Sequence, residues 1–256
     1  SGGIGVVRQH VGALRDQQTE LGNIVSGLGD DDLLRPSRCD GWTVADVLLH
    51  LAQTNEMAVA SAQGRLREYV EEVAAQIPQT GGIDEWAGAF VDLERADPID
   101  QRDRWLVSAT SQVDAFASTR PDARVDWVAG ELAARTLATT RLTETWIHTV
   151  DVAVAFGPPP PPTERLWHTA RLTWRTVPYA LGQAGLTAAG PIVFSLDAPE
   201  GTTWTFGEPA AAITTITGSA LDLCTVAGQR GDAAGTSLHG DGPDAADVLR
   251  LMRTFA

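Results

Sequence analysis

The sequence predicts a mainly α-helical chain with a smaller α/β part towards its C-terminal end, and three observations carry that prediction. From about residue 6 to 156, apolar side chains recur at three- and four-residue intervals. Five consecutive prolines follow, Pro158 to Pro162, which no helix can cross because each lacks an amide hydrogen and crowds the preceding turn. Beyond Pro191 the period shortens to the alternation of β-branched and aromatic residues that marks strands. The expected organisation is a helical domain over residues 4–157, a stiff linker over 158–162, and a helix with a small α/β domain over 163–256.

Taken in order, the first helix is expected over Val6–Leu28, with Val7, Val11, Leu14 and Leu21 on one face and Gly29 beyond its end. Thr43 reads as the cap of the second helix, with Asp46 three residues on as its capping-box partner and Val44, Val47, Leu48 and Leu51 facing the core. Further helices are expected over Asp84–Ala96, Gln101–Ser118 and Glu131–Phe156. After the prolines, Thr163–Leu181 reads as a helix capped by Thr163 and ended or kinked at Pro178. Strands are expected at Ile192–Leu196, Thr202–Phe206, Ala212–Thr217 and Ser237–Gly240, with helices at Gly218–Gln229 and Pro243–Phe255.

Composition excludes several functions. All 19 basic residues are arginines, set against 33 acidic ones, for a net charge of −14. So acidic a chain repels phosphate backbones, so no nucleic-acid partner is expected. With no lysine at all, neither a phosphate-loop NTPase nor a Schiff-base enzyme can be built. Arginine used to the exclusion of lysine, in Ala- and Gly-rich text, points to a GC-rich bacterial genome. Cys39 and Cys224 are too few and too far apart for a disulfide framework, and both read as small packing residues. No apolar run reaches the roughly 18–20 residues of a membrane span, so a cytoplasmic protein without a membrane partner is expected. Neither a nucleophile elbow, an H-E-x-x-H motif nor a dinucleotide fingerprint is complete.

The helix expected over Glu131–Phe156 carries the chemistry. Arg141, Glu144, His148 and Asp151 fall three, four and three residues apart, on one stripe of a helix that is otherwise apolar nearly all round. A carboxylate and an imidazole there need partners, since desolvating them alone is costly. An ion pair or a hydrogen-bonded core histidine would suffice, but a divalent metal would satisfy both at once. Among His10, His50, His168 and His239, only His50 sits inside a long amphipathic helix between apolar neighbours. His50, Glu144 and His148 thus form a two-histidine, one-carboxylate set suited to Zn2+, with Fe2+, Ni2+ or Mn2+ as alternatives. Asp151 reads either as a helix-end charge or as the acceptor of an imidazole N–H. Arg141 reads as a partner for a nearby acid, and Trp42 as a core anchor before it is a substrate platform.

The run Arg35-Pro36-Ser37-Arg38-Cys39-Asp40-Gly41-Trp42-Thr43-Val44-Ala45-Asp46-Val47-Leu48-Leu49-His50-Leu51 resembles the G-W-[ST]-x-x-[DE]-x-x-x-H-[LV] signature of the DinB-like superfamily. The R-x-x-E-x-x-x-H-x-x-D run from Arg141 to Asp151 is similar to that of its mycothiol-dependent maleylpyruvate isomerase branch, whose Glu and His join the earlier His in binding zinc. Thr217 to Cys224, Gln229-Arg230 and Gly240-Asp241 are similar to that family's C-terminal sterol-carrier-like α/β domain. The resemblance implies a DinB-like four-helix bundle holding the metal, and a second domain whose arginine contributes to catalysis, with Arg230 the candidate here.

The function expected is that of a divalent-metal-dependent isomerase or S-transferase acting on a small electrophilic metabolite. By resemblance its thiol cofactor would be mycothiol, with Asp151 orienting an imidazole and Arg141 or Arg230 offsetting negative charge. A thiol-independent metalloenzyme of natural-product tailoring, whether hydrolase, lyase or cyclase, is the alternative, and a non-catalytic metal-binding module is a third. The expected partner is a small molecule, and the chain is expected to be a monomer or homodimer.

Overall fold

The computed structural model describes residues 9–78 and 81–254. The chain divides into two compact units, meeting in sequence between Pro160 and Pro161.

The first unit opens with α1 (His10–Val25) and a single turn, α2 (Asp30–Leu33). Val6 and Val7 of the expected first helix lie outside the described residues, and α1 stops three residues earlier than expected, in the turn around Ser26 and Gly27. Helix α3 (Val44–Ala62) begins where the sequence places it. Thr43 Oγ1 accepts from Asp46 N–H while the Asp46 carboxylate accepts from Thr43 N–H, both at 3.1 Å. Then follow α4 (Leu66–Ala74), α5 (Ile83–Glu94) and α6 (Pro98–Ala117). Helix α4 was not expected from the sequence; it buries only Leu66 and Val73, too few positions to stand out as a periodic face. A short antiparallel pair, β1 (Arg124–Val125) and β2 (Leu132–Ala133), precedes α7 (Ala134–Ala153). That pairing is why α7 starts at Ala134 and not at Glu131.

The four long helices α1, α3, α6 and α7 pack on one another. One apolar core joins Leu21 and Val25 of α1, Val44, Val47, Leu48 and Leu51 of α3, Trp105 of α6 and Val152 of α7. A second joins Leu14, Ala58, Val113, Phe116, Leu137 and Leu142. Burying a Leu or Val side chain is worth about 1.5–3 kcal/mol, so both clusters contribute to the stability of the unit. They also fix the registers of α3 and α7, the helices that carry His50 and His148.

The second unit contains α8 (Leu166–Gln183), a four-stranded sheet and two further helices. Thr163 does not cap α8, which starts at Leu166; its hydroxyl accepts from Arg165 N–H in the turn before the helix. Pro178 lies inside α8 rather than ending it. The strands are β3 (Ile192–Asp197), β4 (Thr203–Phe206), β5 (Thr214–Ser219) and β6 (His239–Asp241), with α9 (Ala220–Ala227) and α10 (Ala245–Leu251). Their order is β4-β3-β5-β6, with β3 and β5 parallel and both edge strands antiparallel. Gly218 and Ser219 complete β5 rather than opening the helix, and Ser219 Oγ caps α9 by accepting from Asp222 N–H. Helices α9 and α10 both pack on α8. Phe255 of the expected last helix lies outside the described residues. The fold is mainly α with a small α/β part, as the sequence predicts. No helix of the described residues is long and apolar enough to cross a membrane.

Candidate metal centre

Helix α7 presents Glu144 and His148 one turn apart, and α3 brings His50 to meet them. One donor atom from each lies within 4.8 Å of the other two. His148 Nε2 is 3.4 Å from Glu144 Oε2, and the rings of His50 and His148 meet edge to face at 5.1 Å. His148 is buried, whereas His50 and Glu144 each keep an exposed edge, 14% for the Glu144 side chain.

Each ring is held from behind. His148 Nδ1 is 2.9 Å from Oδ2 of Asp151, a residue with no exposed surface at all. Asp151 is therefore an imidazole partner inside the helix and not an exposed helix-end charge. The His50 ring lies 5.2 Å from the Trp42 ring, so Trp42 braces an imidazole as well as packing on the core. Trp42 is aimed by a turn: its N–H donates to the Cys39 carbonyl at 3.0 Å, with Gly41 between them at φ +79°, a conformation that suits glycine.

Electrostatics follow from this geometry. Burial and the neighbouring His148 push the His50 imidazole down to about 3, so it is neutral. Burial would also lower His148, but its hydrogen bonds with Asp151, Cys39 and Glu144 outweigh that and raise it well above 6.5. Burial pushes the Glu144 carboxyl up, yet the hydrogen bond and charge of His148 bring it below the usual carboxylate range. Without an ion, the cluster is thus an ion pair beside a neutral imidazole.

Arg141, three residues before Glu144, is buried and turned elsewhere. Its Nε donates to Gln112 Oε1 at 3.2 Å, and its Nη2 donates to Thr54 Oγ1 at 2.8 Å and Asn55 Oδ1 at 3.0 Å. Its charge acts on Glu144 through space, and burial lowers the guanidinium to about 10. Arg230 belongs to the second unit, where Nη1 donates to the Gly228 carbonyl after α9.

Sequence reasoning missed Cys39. Its Sγ lies 3.3 Å from Asp151 Oδ2 and 4.0 Å from His148 Nδ1, so it does more than pack. The sequence around Cys39 offered no signal, because its partner lies 112 positions away. Cys224 is a core residue as expected, with no exposed surface and its thiol pushed up by burial. A groove of about 570 Å³ elsewhere on the first unit, lined by Glu56, Tyr69, Arg104 and Val107, includes none of the proposed ligands. Its Arg104 is already paired with Glu56 and Glu94, so it offers little free charge to a ligand.

Comparisons with known proteins agree with this architecture. An uncharacterized protein of Mycobacterium tuberculosis is 31% identical over 247 residues, covering 96% of this chain and 95% of its own length. A protein of Geobacillus kaustophilus, named as a candidate metal-dependent hydrolase, is 43% identical over 51 residues, which are 20% of this chain and 29% of that protein. The crystal structure of the mycothiol-dependent maleylpyruvate isomerase superposes with a TM-score of 0.60 at 17% identity, covering 93% of this chain and 95% of that one. A histidine-to-alanine mutant of that isomerase gives 0.59. The profile of the mycothiol maleylpyruvate isomerase N-terminal domain matches residues 14–153, which span every helix that contributes to the cluster, and the chain belongs to that family.

Proposed function

We propose that the chain is a metal-dependent enzyme that uses a low-molecular-weight thiol, mycothiol by family, to isomerise or transfer sulfur to a small electrophilic metabolite. The observation that carries this reading is the convergence of His50, Glu144 and His148 from two helices onto one point. The donor set fits a divalent ion. Two ligands each about 2.0–2.1 Å from a tetrahedral centre stand about 3.4 Å apart, and His148 Nε2 and Glu144 Oε2 stand 3.4 Å apart. Zinc suits two imidazoles and a carboxylate best, and three protein ligands leave a position open, as catalytic sites do.

A bound ion would supply Lewis-acid charge that favours the ionised form of a thiol near neutral pH. The chain's own residues do the rest. Asp151 Oδ2 accepts the hydrogen bond of His148 Nδ1–H, which leaves Nε2 for the ion, and Trp42 limits the tilt of His50. Buried Arg141 offsets part of the negative charge of Glu144, so a further anion is tolerated there. The exposed edges of His50 and Glu144 mark the side from which small molecules reach the cluster. By resemblance alone, Arg230 is the proposed cation for an anionic substrate.

The test is turnover of an unsaturated electrophile, maleylpyruvate first, with zinc supplied and thiol varied. Activity is expected only with added thiol, and a double Cys39→Ser, Cys224→Ser variant should still require it. Full turnover in thiol-free buffer would defeat the thiol reading and favour the second one, a thiol-independent metalloenzyme. What supports that second reading is the local match to the Geobacillus protein named for metal-dependent hydrolysis.

A further inference from the structure

The hydrogen bonds around Asp151 reach past the proposed ligands to a residue that the function above does not use. Asp151 Oδ2 lies 2.9 Å from His148 Nδ1, and the same oxygen accepts the Cys39 S–H at 3.3 Å. The backbone holds this meeting in place, since Arg38 N–H donates to the Asp151 carbonyl at 3.0 Å, one residue from Cys39. Ser37 Oγ accepts from Cys39 N–H and donates to the Trp42 carbonyl, tightening the same loop. The loop that delivers Trp42 to His50 is therefore also tied to the end of α7, behind His148.

We propose that Cys39 is a positioning residue: its S–H holds the Asp151 carboxylate against His148 Nδ1 and thereby aims Nε2 at the metal position. The inference rests on the reading of His50, Glu144 and His148 as ligands. A carboxylate can turn about its last torsion, which is broad, and a second donor on the accepting oxygen narrows that motion. A thiol is a weak donor, so it restrains the oxygen without displacing the stronger imidazole N–H. The rival arrangement places a second ion between Cys39, His148 and Asp151, whose donor atoms also lie within 4.8 Å of one another. The geometry disfavours it: 2.9 Å between Nδ1 and Oδ2 is a hydrogen-bond length, shorter than the roughly 3.4 Å between two ligands of one tetrahedral ion.

The test compares Cys39→Val, which keeps the size and removes the donor, with Cys39→Ser, which keeps a donor. In the metal-free full-length protein, solvent exchange of the His148 Nδ1 proton is followed by NMR. It should be slow in the wild type and the Ser variant and about tenfold or more faster in the Val variant. Zinc affinity, measured by chelator competition, should fall about three- to tenfold for Val and stay within about twofold for Ser, less than the 10–100-fold typical of a group bonded directly to a ligand. On an Asp151→Asn background the Val substitution should cost no further affinity. Unchanged proton exchange in the Val variant would overturn the inference, as would affinity losses that add in full with Asp151→Asn. A wild type that takes up no zinc would sink the metal reading instead, and the exchange measurement would still decide the role of Cys39.

Discussion

Arg141 and Glu144 sit three residues apart on α7, yet their surroundings differ in kind. Around Arg141 the polar groups close on themselves. The guanidinium donates to Gln112, Thr54 and Asn55; Gln112 donates to Gln18 at 2.7 Å; Asn55 donates to Ser108 at 3.1 Å; and Gln18 donates to the Ala109 carbonyl at 3.1 Å. That network spans α1, α3, α6 and α7 and joins all four long helices. Around Glu144, by contrast, one carboxylate and two imidazoles from only two helices point at one another, with a partly exposed edge. The first arrangement spends its hydrogen bonds on holding helices together, and the second leaves its donor atoms aimed at a common point. The difference teaches that burial of polar side chains on a helix does not by itself mark a site; convergence of donor atoms on one point, with an edge open, is what sets the second cluster apart.

The comparison can be broken most directly by removing ligands. His50→Ala, Glu144→Ala and His148→Ala should each lower zinc content from about one ion per chain to below about a tenth, while far-UV circular dichroism stays close to wild type. Elemental mass spectrometry checks the first and the spectrum the second; full zinc content in all three variants would show the cluster to be no more than an ion pair. Arg141→Met should do the reverse. It leaves the buried oxygens of Asn55 and Gln112 without a donor, so chemical denaturation should report a loss of about 2–4 kcal/mol, with zinc content retained in the fraction that folds. Loss of metal without loss of stability would erase the contrast between the clusters.

A smaller effect sharpens the boundary between them. Asp46 caps α3 and bonds Arg95 at 3.0 Å, four residues before His50 but outside both clusters. Asp46→Asn should cost about 1 kcal/mol, the usual worth of a cap, and leave zinc affinity unchanged. Burial pushes the Asp46 carboxyl up, but hydrogen bonds from Arg95, Thr43 and Gln101 outweigh it and hold the carboxyl below 3.8. Its contribution is therefore present above the unfolded value of 3.8 and is lost as pH falls through the lower folded value. The gap between wild type and variant should close in that acid range, read from denaturation curves between neutral pH and about pH 2. The smallest expected effect is none: both clusters lie within residues 10–160, and we propose that this segment folds alone. Expressed without the second unit it should hold zinc as the full chain does, and an insoluble product despite added zinc would count against its independence.

By itself the sequence determined the helical class, the break at the five prolines, the Thr43–Asp46 cap and the identity of the residues that meet around Glu144. These are local matters: a helix's period places Arg141, Glu144, His148 and Asp151 on one stripe, and capping chemistry is written within four residues. Only the tertiary structure decided which way each of them faces. The stripe that looked uniform divides between two clusters because Gln112, Thr54 and Asn55 lie opposite Arg141 while His50 lies opposite Glu144, and those neighbours come from other helices. The start of α7 was settled by a strand pair that bridges Arg124–Val125 and Leu132–Ala133. From the sequence Cys39 reads as packing, because its partner, Asp151, is 112 positions away and arrives only through the folding of a loop onto the end of α7. Side-chain partners across more than a hundred residues are set by packed helix faces, and no local period records them.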